Sequence, residues 1–254
     1  MSNYNNYPPE LPQAQATQAA PYQNEWSLST YMTKVMRKVY LKMFLGLLVT
    51  AITSWFILSN ETILSSMFTI DADGSVSLSG FVYVLFFAEL GLVFALSMAI
   101  NKLSPLVASL LFYAYALING ITLTPIFLAY TMSSIALTFF VTAGVFLAMS
   151  VYGYTTKNDL TKFGTYLIMA LIGLIVCTII NIFWANSVMD WIISFAGVAI
   201  FIGLTAWDTQ KIKNMAQQTD EANVSKLATW GALSLYLDFI NLFLYLLRIL
   251  GSRD

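Results

Sequence analysis

The sequence predicts an all-α membrane protein of seven transmembrane helices, and three observations lead there. Of the 254 residues, 58% are apolar and 10% charged, against about 25% charged in ordinary soluble domains; the mean hydropathy is +0.72. Seven apolar segments stand along the chain, each near the ~20 residues that cross ~30 Å of hydrocarbon. From Leu103 to Thr156 no residue is charged. As one helix that stretch would run about 80 Å at ~1.5 Å per residue, so the chain must fold back within it.

Residues 1–30 lack Lys and Arg and are rich in Asn, Gln, Pro and Tyr, which reads as a disordered cytoplasmic tail. Residues 31–254 form the transmembrane domain. From Trp26 to Lys42 the pattern is amphipathic, with Lys34, Arg37, Lys38 and Lys42, and reads as an interfacial lead-in to the first span. The spans are placed at about 41–59, 81–100, 105–130, 134–153, 163–183, 191–209 and 228–249. Thr131-Met132-Ser133-Ser134 is the polar break that lets the chain reverse. Ser104 followed by Pro105 reads as an N-cap and first helical residue. Pro125 is expected to kink the third span, with neighbouring helices satisfying the freed carbonyl.

Ten of the 12 Lys and Arg residues fall on one side if the N-terminus is inside, while loops 60–80, 131–133 and 184–190 have none. The positive-inside rule then places the N-terminus in the cytoplasm. Seven full crossings send Arg248 and Arg253 to the other side. A re-entrant last segment would avoid that, but 228–249 is long and free of Gly and Pro after Gly231.

A net charge of −1 gives no reason to expect nucleic acid as a partner, and the absence of His excludes His-based haem, zinc and triad chemistry. The single Cys177, mid-span, excludes an intramolecular disulfide and reads as an inert core thiol. No tightly bound cofactor is expected.

Three carboxylates remain inside the spans: Glu89, Asp208 and Asp238. An ionised acid at mid-bilayer costs roughly 2.5–3.5 kcal/mol, so these groups should face a bundle interior or a wet cavity. Asp238 has Asn241 three residues on, on the same helical face. Carboxylate and amide oxygens together suit a hard cation such as Ca²⁺. Asp208 precedes Lys211 by three residues, and could equally pair with it or cap a helix end. Glu89, with Gly91 nearby to allow close helix approach, reads equally as functional or as an interhelical hydrogen-bond group. Asn119, Thr122 and Asn181 read as packing polar groups. Depth poses a problem: Asp238 lies about 18 Å of helix beyond Lys226, whereas Asp208 is near the membrane boundary. The two meet only if the last helix begins well out in the cytoplasm or the sixth ends in a cavity.

The segments GYTTKNDLTKFG (153–164), GLTAWDTQKIK (203–213) and LSLYLDFINLFLYLLRILG (233–251) resemble the bacterial branch of the Bax inhibitor-1 family, and ALINGITLTPIF (116–127) resembles its third-span pattern. The resemblance runs from about residue 30 to 251. It implies six helices surrounding a central last one, and a pH-sensing aspartate pair falling on Asp208 and Asp238. In calcium-leak members a protonated, hydrogen-bonded pair accompanies the closed state. Glu89 is similar to a family glutamate. One departure stands out: those members carry an arginine late in the second span, and this chain has no Lys or Arg between Lys42 and Lys102.

The resulting expectation is a pH-sensitive calcium or cation leak with transient Ca²⁺ at Asp208 and Asp238, supported by Glu89 and Asn241. Two carboxylates in one pocket cannot both ionise cheaply, so they should share a proton. The alternative is a non-conducting modulator of a membrane protease or stress response. Paired late-span aspartates also suit an intramembrane aspartyl protease, but its glycine-flanked aspartate and Pro-Ala-Leu motifs are absent, so no enzymatic activity is expected.

Overall fold

A computed structural model describes residues 25–71, 74–100 and 102–252. Of the tail expected at 1–30, residues 1–24 lie outside the described ones, and the rest already belong to helix α1 (Glu25–Leu58). The stretch read as an interfacial lead-in is therefore the first part of that continuous helix. Its apolar face, Tyr31, Met32, Val35, Met36 and Val39, is buried. Tyr31, Met32 and Val35 pack with Ala216, Val224 and Leu227. The spacing that suggested a membrane-surface face instead serves helix packing.

Loop 60–80 holds the short helix α2 (Glu61–Ser66), capped by the Asn60 side chain, and a two-stranded hairpin, β1 (Phe68–Ile70) against β2 (Val76–Leu78). Then come α3 (Gly80–Ala99), α4 (Pro105–Leu123), α5 (Ile126–Ala129), α6 (Met132–Thr155), α7 (Thr161–Trp184), α8 (Ser187–Gln217) and α9 (Val224–Leu250). Among the described residues, seven helical segments are long and apolar enough to cross a membrane, with α4 and α5 together making the third.

The caps follow the sequence. Ser104 Oγ accepts from Val107 N at 3.3 Å, and Thr131 Oγ1 from Ser134 N at 3.3 Å. Pro125 breaks the third span between α4 and α5. Thr124 N then turns to Ile121 O at 3.1 Å, a tightened last turn. Gly120 O accepts instead from Thr124 Oγ1 at 2.9 Å and from Ser54 Oγ of α1 at 2.7 Å. A neighbouring helix thus helps replace the lost bond.

Helix α9 is the axis of the bundle. It packs against α1, α4, α6 and α8, with α3 laid on α4 and α7 on α8. Leu235, Tyr236, Leu242 and Leu247 of α9 are almost fully enclosed. Its ends are pinned to opposite ends of the bundle. Near its start, Tyr31 OH donates to Thr219 O at 2.6 Å. Beyond its finish, Thr131 N donates to Ser252 O at 3.1 Å and Ser252 N to Ser134 Oγ at 3.0 Å. An unbroken 27-residue helix, about 40 Å long, runs between these points, so the last segment crosses and does not turn back.

The lipid-facing surface is broad and apolar. Phe44, Trp55, Phe87, Phe140, Ile182 and Phe183 are among the large side chains more than half exposed, as a bilayer solvent permits.

Candidate intramembrane cation site

Because α3 and α7 reach the centre mainly through α4 and α8, a space remains between them and α9. It is a cavity of about 590 Å³. Glu89 of α3, Asn119 and Thr122 of α4, Asp208 of α8, and Ser234, Asp238 and Asn241 of α9 all line it. The sequence thus placed three acids in spans, and the fold brings all three to one cavity.

The depth problem is resolved by helix length. Helix α8 continues nine residues past Asp208 to Gln217, and Ser234 stands ten residues into α9 from Val224. At ~1.5 Å per residue these are about 14 and 15 Å, so in antiparallel neighbours Asp208 is level with Ser234. The Ser234 hydroxyl faces the Asp208 carboxylate. Asp238 lies one turn deeper and is an electrostatic neighbour of Asp208. Both acids are buried, at 8% and 4% exposure. Asp208 therefore does not cap a helix end.

Asp238 Oδ2 is enclosed and makes no hydrogen bond. A buried ionised carboxylate oxygen left alone is costly, so this atom calls for a proton, a water or a cation. Asn241 spends its amide nitrogen on Leu237 O at 2.8 Å, back along its own helix. Among the described residues, no group of three or more His, Cys, Asp or Glu side chains is placed to hold a metal ion. A cation at the pair would need amide, carbonyl or water oxygens to complete its shell.

Glu89 is held differently. Its Oε1 accepts from Thr122 Oγ1 at 2.8 Å, and the Asn119 amide faces it. Asn119 Oδ1 accepts from Tyr236 OH at 2.9 Å, and that hydroxyl lies 2.6 Å from Thr50 Oγ1. A polar chain thus runs from α3 through α4 and α9 to α1. Asn119 and Thr122 were read only as packing groups; their three-residue spacing on one helix face, toward a span carrying an acid, was the available signal. Asn181 does act in packing, with Nδ2 donating to Asp190 Oδ1 at 2.9 Å. Gly91 does not admit a neighbouring helix: a Cβ there would meet nothing within 4 Å. The close approaches are elsewhere, as at Gly120, where a Cβ would lie 2.6 Å from Thr50 O.

Comparison with known proteins agrees with this architecture. The family profile described as "Inhibitor of apoptosis-promoting Bax1" matches residues 32–254. The chain belongs to the Bax inhibitor-1 family. Among its relatives is the inner membrane protein YbhL of Escherichia coli K12, 47% identical over 229 residues, 89% of this chain and 93% of the relative. An uncharacterized protein of Borreliella burgdorferi is 46% identical over 222 residues, covering 87% and 92%. RP147 of Rickettsia prowazekii, also uncharacterized, is 42% identical over 223 residues, covering 87% and 91%. This Bax inhibitor-1 family member is an integral membrane protein, and its home is the lipid bilayer.

Proposed function

We propose that this protein is a pH-sensitive cation leak, with Ca²⁺ the best-suited ion and the Asp208–Asp238 pair its binding and gating element. The observation that carries the reading is the buried, unpartnered Asp238 Oδ2 in a cavity shared with Asp208. Two of the states that satisfy that oxygen make a switch. In one the pair holds a proton and no ion. In the other the pair is ionised and an incoming cation supplies the missing partner. Two carboxylates offer at most four oxygens, so the site binds weakly and releases readily, as conduction requires. Glu89 and Asn241 support the cavity's polarity without belonging to the pair. With the basic end in the cytoplasm, the pair sits nearer the cytoplasmic mouth.

The experiment is Ca²⁺ entry into vesicles holding the purified protein alone. Asp208→Asn and Asp238→Asn should each reduce entry by about tenfold or more, the effect expected when removing one charge costs about 1.4 kcal/mol of cation binding. Entry that survives in both variants would remove the pair from the path and favour a non-conducting, modulatory role.

A further inference from the structure

Trp207 lines two cavities at once. On one side lies the carboxylate cavity. On the other is a pocket of about 240 Å³ at the basic end of the bundle, walled by Gln210, Lys211, Asn214 and Gln218. The indole is held on two sides. It lies against Gly164 of α7, where any Cβ would collide with the ring. The Lys211 ammonium sits 4.7 Å from the Trp207 ring centroid, and the same ammonium sits 4.9 Å from the ring of Trp230 on α9. One cation therefore clasps an aromatic of α8 to an aromatic of α9.

We propose that Trp207 is the gate leaf between the carboxylate cavity and the polar pocket, and that Lys211 is the latch holding it shut. The proposal rests on the cation-leak reading and specifies where the path closes. A clasp built from cation–aromatic contacts is strong enough to hold a ring and weak enough to release it. Lys211 also lies three residues from Asp208 on the same helical side and is its electrostatic neighbour. A cation arriving at Asp208 repels the Lys211 ammonium and loosens the latch. Occupancy of the site and opening of its mouth are thereby coupled.

The test uses solvent access, which is read independently of conduction. With Cys177→Ala as background, Leu237→Cys places a thiol in the cavity wall. The protein is set in vesicles sorted so that Lys157 faces the bulk solution, and a charged, membrane-impermeant methanethiosulfonate is added outside. Adding Lys211→Met should speed labelling about 5- to 30-fold, the range given by losing two cation–aromatic contacts, and Trp207→Ala, which removes the leaf itself, should speed it at least as much. Lys211→Arg, which keeps the clasp, should match the parent. Should Trp207→Ala fail to fold, the Lys211 pair decides. Unchanged labelling in Lys211→Met overturns the proposal, as does equal acceleration from the opposite side, which signals general loosening. Ca²⁺ entry into the same vesicles separates the two claims. Faster labelling with no rise in entry supports the gate and sinks the leak; greater entry with unchanged labelling sinks the gate and keeps the leak.

Discussion

Replacing Gly120 by alanine tests how closely α1 and α4 are packed. A Cβ on Gly120 would lie 2.6 Å from Thr50 O and 2.8 Å from the Thr53 Cβ. An ordinary carbon–oxygen contact is about 3.3 Å, so the helices must part by about 0.7 Å. That shift stretches the Ser54 Oγ to Gly120 O bond, now 2.7 Å, and the Thr50 Oγ1 to Ala116 O bond, now 2.8 Å, to the limit of hydrogen bonding. Overpacking costs about 1–3 kcal/mol, and interhelical bonds in membranes contribute about 0.6 kcal/mol each. Against this, alanine gains about 0.5–1 kcal/mol over glycine in a helix. The net loss is about 1–4 kcal/mol. Gly91→Ala is the control, because its Cβ would meet open space; it should be neutral or stabilising. Thermal unfolding in detergent followed by circular dichroism reads both. At roughly 2–4 °C per kcal/mol for a chain of this size, Gly120→Ala should melt several degrees below the parent. If it melts at or above Gly91→Ala, the packing argument is wrong.

Tyr236→Phe keeps the edge-on ring contacts with Phe112 and Tyr115 but strips the hydroxyl from Thr50 and Asn119. A loss of about 1–2 kcal/mol should follow in the same melting assay; no change would show that the chain of hydroxyls is energetically idle. Single cysteines at Ser133 and Ser252 should react from one side of the membrane, and those at Lys157 and Thr219 from the other. Ser252 reacting together with Lys157 would contradict the full crossing of α9. Glu89→Gln should lower Ca²⁺ entry less than either aspartate variant, because Glu89 is already bonded to Thr122. An equal loss would make Glu89 a member of the ion site.

The helices were legible because lipid imposes a simple rule: long uncharged runs with polar breaks. Ser104, Pro105, Thr131 and Pro125 acted as their chemistry suggests. Helix lengths outside the hydrocarbon were not legible. Asp208 looked like a boundary residue because Lys211 and Lys213 follow it, yet α8 continues to Gln217 on contacts made by Ile212 and Ala216, which are fully buried. The lead-in of α1 misled in the same manner, since a basic face over an apolar face fits a membrane surface or a partner helix equally well. Convergence of the three acids depends on which helices leave a gap beside α9, a property of packing among five helices that no local pattern encodes. Lys211 read as an ion-pair partner; its placement between two tryptophans 23 residues apart in sequence needed the α8–α9 pairing to be seen.

The central claim is that one pair of carboxylates takes either a proton or a passing cation. The direct measurement is the rate of Ca²⁺ entry into vesicles of purified protein across pH, for the parent and for the Asp208→Asn, Asp238→Asn double variant. Protons compete with cations for the pair, so entry through the parent should fall as pH is lowered, while the double variant should show low entry with no pH dependence. Equal pH profiles for the two proteins would contradict the account.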